Sequence, residues 1–242
     1  MITRPTSPPS PPLAPSGSFG PQVRNIWAVG RNYVEHAKEL GHVVPNTSSE
    51  PMIFLKAGTC LVEPDASFRL PSFSSDVHHE VEVALRFGPG LRFTEITVAL
   101  DLTARDIQTK LKAQGHPWTL AKSFQASCPI GRLQKIPDGL DVGRIKFMLK
   151  VNGETRQKGH PSEMIHSAEA LRHYVIERFP VIEGDLLLTG TPAGVGPLRP
   201  GDHLELLELH PAALARLRRH YSRDPQVHVH GRDAFEGLPA LL

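Results

Sequence analysis

His79-Glu80-Val81-Glu82-Val83-Ala84-Leu85-Arg86-Phe87 sets Val81, Val83 and Leu85 at alternate positions, with Glu80, Glu82, Ala84 and Arg86 between and beside them. That period of two is the pattern of a half-buried strand. Side chains two apart on a strand share a face, so Glu80 and Glu82 point one way while Val81 and Val83 point into a core. Two parallel carboxylates repel unless a cation lies between them. The same pattern also describes a solvated strand face that carries two acids. His78 would share the glutamate face, and as a ligand it would favour zinc.

Working outward, Ile26-Trp27-Ala28-Val29 reads as a short buried strand ending at Gly30, and Met52-Ile53-Phe54-Leu55 as a second. Asn32 is placed to cap a helix running to about Leu40, where Gly41 stops it. Downstream, residues 96–103 form another strand, rich in β-branched and apolar residues, with Asp101 near its end. Three carboxylates from Glu80, Glu82 and Asp101 suit a hard cation such as Mg²⁺ or Mn²⁺ rather than zinc. Residues 103–114 read as a helix. Residues 145–151 read as a strand entering a hairpin at Asn152-Gly153, a pair that tolerates positive φ. Residues 162–178 include a helix with a polar start, and residues 185–189 form a strand that runs into a Gly-rich turn. Many strands with few helices predict an α+β, mostly β fold.

The 242-residue length suits one domain with a sizeable core, and 40% hydrophobic residues are enough to fill it. A net charge of +2 points to neither nucleic acid nor a membrane surface. The two cysteines, Cys60 and Cys128, make no disulfide framework and no CxxC pair, which fits a reducing, cytoplasmic setting. Residues 1–22 hold seven prolines and read as a disordered arm, since such a segment buries too little apolar surface to offset its ordering entropy. The catalytic domain is expected over residues 23–209, with a tail of different character over 210–242. No apolar run has the length of a membrane span.

Several further residues carry chemistry. His36 and Glu39 lie three apart and share a helix face, so the carboxylate can orient the imidazole as a general base. An ordinary exposed helix pair has the same spacing. Arg105 and Gln108 share a face of the next helix, and the Arg105 fork suits a carboxylate. Lys122, among apolar neighbours, reads either as buried and charge-paired or as a lysine snorkelling at a core edge. In Thr189-Gly190-Thr191-Pro192-Ala193-Gly194-Val195-Gly196, backbone amides can form an anion nest for a carboxylate, or the stretch is a plain turn. It is neither a phosphate-binding Gly-Lys-Ser/Thr loop nor a dinucleotide fingerprint.

Taken in order, these motifs resemble the fumarylacetoacetate hydrolase family, over about residues 25–208. They are Gly30-Arg31-Asn32-Tyr33 with His36 and Glu39, Phe54-Leu55-Lys56, His79-Glu80-Val81-Glu82, Asp101-Leu102-Thr103-Ala104-Arg105-Asp106-Ile107-Gln108, Ala121-Lys122-Ser123-Phe124, Val151-Asn152-Gly153-Glu154 with Arg156-Gln157, and the Gly-rich stretch after Gly184-Asp185. The run from Gly115 to Pro129 is most similar to the acylpyruvase and oxaloacetate decarboxylase branch. The resemblance implies a mixed β-sandwich roll with a short lid helix, usually a homodimer. It implies Mg²⁺ or Mn²⁺ on Glu80, Glu82 and Asp101, a His36–Glu39 pair on the lid, and a catalytic Lys122. Substrate binding falls to Arg31, Arg105, Gln108 and Thr189, the last three at the substrate's acid end.

The implied activity is metal-dependent hydrolysis of a C–C bond in acylpyruvate-type 2-oxo acids, with oxaloacetate decarboxylation at the same site. The rivals are an isomerase or decarboxylase of 2-hydroxyhepta-2,4-diene-1,7-dioate-type dicarboxylates, and a non-catalytic homologue. The last is motivated by two departures from the family pattern. Residues 88–95 make a short link between Glu80 and Asp101, and residues 212–221 read as a basic helix where closing strands are expected. His228-Val229-His230, within that tail, reads as a solvated segment rather than a metal pair.

Overall fold

A computed structural model describes residues 23–41, 43–64, 66–209, 217–220 and 230–233. Its first half contains β1 (Asn25–Gly30), α1 (Val34–Glu39), β2 (Met52–Ala57), β3 (Leu61–Val62), β4 (Val77–His79), β5 (Val81–Phe87), β6 (Phe93–Leu100), β7 (Thr103–Ala104), α2 (Arg105–Gln114) and α3 (Thr119–Lys122). There follow β8 (Cys128–Pro129), β9 (Gln134–Lys135), β10 (Lys146–Val151), β11 (Glu154–Gly159), α4 (Ala168–Arg178), β12 (Leu186–Leu188), β13 (Gly196–Pro197) and β14 (Leu204–Leu209). The fold is mostly β, with few helices. None of the described helices is long and apolar enough to cross a membrane.

The stretch read as one strand is two, broken at Glu80. β5 lies inside a six-stranded sheet of order β2-β1-β12-β5-β6-β9, whereas β4 lies in a three-stranded sheet between β13 and β7. The neighbouring segment does the same in reverse. β6 pairs with β5 as far as Val81↔Leu100, and β7 then pairs with β4. Two adjacent chains therefore change sheets side by side, at Glu80 and at Asp101, and the Asp101 amide donates to the Glu80 carbonyl at 2.8 Å. The short link through residues 88–95 closes as a tight connection and leaves this register intact.

β5 is not half-buried, because both of its faces are covered and all seven of its residues are buried. Val81, Val83 and Leu85 pack with Val98 and Leu100 against Phe147, Leu149 and Leu206 of the β11-β10-β14 sheet, which makes the sandwich core. Ala84, on the opposite face, packs with Ile26, Ala28, Ala99, Leu186 and Leu188. Glu82 shares that second face, so its carboxylate is buried by the fold itself.

Turn chemistry follows the sequence where it is local. Asn152 and Gly153 both take positive φ (53° and 81°) between β10 and β11, as a two-residue hairpin requires. Ser167 caps α4 by accepting from the Ala170 amide at 3.2 Å. Asn32 behaves differently from expectation. The residue preceding α1 is Tyr33, which makes no side-chain cap. Asn32 instead donates to the carbonyls of His166 and Thr189, each at 2.9 Å, and accepts from the His166 amide at 2.8 Å. Buried main-chain groups of two other segments compete for its amide and win.

Residues 217–220 form a strand paired with residues 230–233, not the basic helix expected over residues 212–221. Cross-strand pairing supplies the backbone partners there that helical bonds would have supplied. The arm at 1–22 and the rest of the tail, including His228 and Val229, lie outside the described residues.

One buried acid outside the cluster ties β1 to the loop before β12. Asp185 accepts from the amides of Asn25 (3.0 Å) and Ile182 (3.2 Å) and from the Trp27 indole (3.0 Å). Asp185→Ala orphans all three donors, and is expected to lower unfolding free energy by about 3 kcal/mol, read as a shift of the urea midpoint.

Candidate active site

An open cleft of about 390 Å³, solvent-open space included, is lined by Glu80, Glu82, Asp101 and Lys122, with Arg31, Lys112 and Trp118 among its other walls. Ligating oxygens of Glu80, Glu82 and Asp101 all lie within 4.8 Å of one another, and all three residues are buried. The sheet-switch corner explains the convergence. Register puts Asp101 beside Glu80, and the two-residue period puts Glu82 on the same side.

The charges of the three acids are unevenly matched. Glu80 receives Lys122 Nζ at 2.7 Å and the Arg105 guanidinium. Asp101 receives Lys122 Nζ at 2.5 Å and Lys56 Nζ at 2.7 Å. Burial pushes the Glu80 carboxyl up, but Lys122 and Arg105 overcome it and hold the group well below the usual carboxylate range. Glu82 has one hydrogen bond among the described residues, from the Gly190 amide at 2.6 Å. Burial, then the charges of Asp101 and Glu80, push its carboxyl well above the ordinary value. A buried set of hard oxygens with one carboxylate this poorly compensated fits a divalent cation such as Mg²⁺ or Mn²⁺. His78 does not join the set. Its Nε2 lies 3.0 Å from Asp76 Oδ1.

Lys122 sits at the end of α3, buried at the floor of the cleft, and also donates to Thr103 Oγ1 at 2.6 Å. Burial lowers its basicity, but Asp101 and Glu80 raise it further, so it carries charge. The charge-paired reading of this lysine holds, and the snorkelling one does not. Lys56, which sequence reasoning passed over as a site residue, is completely buried. Its ammonium bonds Asp101, the Leu102 carbonyl (3.3 Å) and the Lys122 carbonyl. A lysine inside an apolar strand was the signal available for it, since an unpaired buried ammonium is prohibitive.

His36 and Glu39 on α1 come together, with Nδ1 and Oε2 3.3 Å apart. His36 is buried and borders the cleft. Burial lowers its pKa below the ordinary 6.5, against an upward pull from Glu80 and Glu39, so at neutral pH the ring is uncharged. The other oxygen of Glu39 accepts from the Gly194 amide at 3.0 Å. The Gly-rich turn therefore does hold carboxylates through backbone amides. They are the chain's own Glu82 and Glu39, because the loop folds back across both.

Arg105 and Gln108 are joined at 2.8 Å and both border the cleft. Arg31 borders it too, with φ at 60°. Thr189 does not border it, because its hydroxyl is spent on the Val83 carbonyl at 3.0 Å, and Thr191 faces the cleft in its place. Gln157, also unassigned from sequence, accepts from the Val81 amide and bonds His79 Nδ1, both at 3.0 Å, and donates to Thr191 Oγ1 at 2.8 Å. It supplies the acceptor that Val81 lost at the Glu80 break.

Residues 25–218 match the model of the fumarylacetoacetate (FAA) hydrolase C-terminal family. The mitochondrial oxaloacetate tautomerase FAHD1 of Homo sapiens is 40% identical over 204 residues, 79% of this chain and 90% of that protein. Oxaloacetate tautomerase YcgM of Escherichia coli (strain K12) is 42% identical over 193 residues, 75% of this chain and 87% of that protein. Among solved structures, fumarylpyruvate hydrolase from Pseudomonas aeruginosa, in complex with Mn²⁺ and pyruvate, superposes with a TM-score of 0.71 at 30% identity, covering 77% of this chain and 85% of that one.

Proposed function

This chain belongs to the fumarylacetoacetate hydrolase family, and from that premise we propose that it cleaves the C–C bond of acylpyruvate-type 2-oxo acids and decarboxylates oxaloacetate at the same site, with Mg²⁺ or Mn²⁺ on Glu80, Glu82 and Asp101. The observation that supports this most is the buried three-carboxylate cluster on one cleft with Lys122 and with His36, which is itself paired to Glu39. When bound, the cation would supply Lewis acidity to the carboxylate and keto oxygens of a 2-oxo acid.

The chain's own residues do the rest. Arg105 and Gln108 orient the acid end, with Arg31 on the same wall. The tautomer in which His36 Nδ1–H donates to Glu39 leaves Nε2 to take a proton from water. That water adds to the distal carbonyl, the C–C bond breaks, and its electron pair stays on the pyruvate fragment as an enolate. Lys122 places positive charge beside that enolate and can deliver the proton that completes pyruvate. Decarboxylation of oxaloacetate uses the same electron sink without the water. A homodimer and a cytoplasmic setting belong to this proposal.

A second reading takes its support from the names of the two relatives. Tautomerisation of oxaloacetate moves a proton between C3 and the 2-oxygen, and His36 and Lys122 are the carriers available. The deciding test follows loss of acetylpyruvate and oxaloacetate with Mg²⁺, with Mn²⁺ and with EDTA. Metal-dependent loss of either compound supports cleavage. Keto–enol exchange of oxaloacetate without loss favours the second reading, and inactivity on both compounds overturns the first.

His36 also sets a pH expectation. Only the neutral ring is a base, and its folded pKa lies below 6.5, so kcat/KM should fall on the acid side with a midpoint below 6.5. Glu39→Gln removes an upward influence on that pKa, so the acid limb moves to still lower pH. The loss of tautomer control should lower kcat by about 10²-fold. A pH–rate profile of both proteins reads these shifts.

A further inference from the structure

Gln157 does more than satisfy the Val81 amide. It sits on β11, where the pairing with β10 slips by one residue between Leu149↔Gln157 and Lys150↔Thr155. The bulge leaves Arg156 as the extra residue. Gln157 is turned inward to 1% exposure, between exposed Arg156 and Lys158. The Gly-rich turn lies directly on this bulge. Gly194 has φ 97°, and a Cβ there would collide with the Arg156 carbonyl oxygen, so glycine is what lets the turn come so close. The approach delivers Thr191 and Pro192 onto the Gln157 amide.

The polarity of that amide is forced from both sides. Its Oε1 accepts from the Val81 main-chain amide, which can only donate, and bonds His79 Nδ1. Its Nε2 donates to the Pro192 carbonyl at 2.9 Å, which can only accept, and to Thr191 Oγ1 at 2.8 Å. Main-chain groups of fixed sign at each end leave one orientation of the side chain, with both amide hydrogens in use. The consequence falls on Thr191. Its oxygen takes a hydrogen from Gln157, and among the described residues no group accepts the hydroxyl's own hydrogen. Thr191 lines the cleft and Gln157 does not, so that hydrogen is left for whatever occupies the cleft. A free hydroxyl rotates to donate or to accept as its partner requires, whereas this one is committed to donating.

We propose that Gln157 is a positioning residue, which fixes the Thr191 hydroxyl as a hydrogen-bond donor to an oxygen of the bound 2-oxo acid. The inference rests on the reading that such an acid occupies the cleft. The competing account gives Gln157 a structural part alone, pinning the turn to β11 and to Val81.

Double-mutant binding separates the two. Gln157→Glu inverts the polarity at nearly constant shape. The carboxylate still accepts from Val81 and His79, but toward Thr191 it can only accept, so it draws the hydroxyl hydrogen away from the cleft. Gln157→Met removes the donor without adding charge and leaves the hydroxyl to rotate. Calorimetric titration of pyruvate, the product of the proposed cleavage, in Mg²⁺ should show Kd raised about tenfold in Gln157→Glu and about threefold in Gln157→Met. Thr191→Val should itself raise Kd about tenfold. In that background either change at position 157 should add less than about twofold, because the hydroxyl through which it acts is gone. Losses of equal size with and without the Thr191 hydroxyl overturn the proposal, as does pyruvate binding by Gln157→Glu as tight as that of wild type. A second readout needs neither ligand nor a change at position 157. By NMR, both side-chain amide hydrogens of Gln157 should exchange slowly with solvent in wild type, and Thr191→Val should speed the exchange of one of them. Fast exchange of either in wild type overturns the proposal. Slow exchange of both, with one released by Thr191→Val, in a protein that binds no pyruvate would keep the fixed donor and sink the 2-oxo acid reading instead.

Discussion

Glu82→Gln is expected to lower metal-dependent turnover by about 10³-fold or more while leaving the metal-free protein at least as stable as wild type. Among the described residues, Glu82 is the one member of the cluster without a cationic partner at bonding distance. Its contact is the Gly190 amide, which a glutamine carbonyl can still accept. Burial and the charges of Asp101 and Glu80 already disfavour its ionised form, so neutralising it relieves repulsion in the absence of metal. The same change removes the negative charge that a divalent cation needs there. Melting curves with and without Mg²⁺ or Mn²⁺ should therefore separate the proteins. Wild type rises by the amount that linkage requires, about 2.7 kcal/mol of added stability at a hundredfold excess over Kd, and Glu82→Gln rises little. A variant that keeps both the metal-induced rise and the turnover would remove Glu82 from the ligand set.

Lys56→Met is expected to cost about 3–5 kcal/mol of stability, the largest loss foreseen for a single change here. Lys56 is fully buried, and its ammonium joins Asp101 to the Leu102 and Lys122 carbonyls. Methionine fills similar volume, so the loss reports electrostatics and orphaned acceptors rather than a cavity. Asp101 keeps Lys122 as a partner at 2.5 Å, and the two main-chain carbonyls lose their donor. Because one of those carbonyls belongs to Lys122, the ends of β6 and α3 should loosen together. Urea unfolding measures the loss, and a change below about 1 kcal/mol would show that Lys56 is not a structural cation.

Local patterns carried a good deal of this protein. Alternation marked the strands around Glu82, Asn152-Gly153 marked its hairpin, and the residue types of the cleft stood in order along the chain. Spacings of three and four brought His36 to Glu39 and Arg105 to Gln108, because helical geometry alone decides those contacts. Such signals reach only a few residues, and a sequence displays them directly.

Everything that joins distant segments was decided elsewhere. The break at Glu80 could not be read from alternation, which continues through it. It arises because β4 and β5 find partners in different sheets, and the matching break at Asp101 brings the third carboxylate into place. Thr189 and Thr191 are indistinguishable as letters, and the pairing of β12 with β5 turns the first to the Val83 carbonyl and leaves the second on the cleft. Asn32 looked like a cap and became a tie between residues 166 and 189. Sequence alone determined which groups the chain possesses and which short elements carry them. Tertiary structure decided which buried donor meets which buried acceptor, because the cost of leaving any of them unpaired is settled only when the sheets close around it.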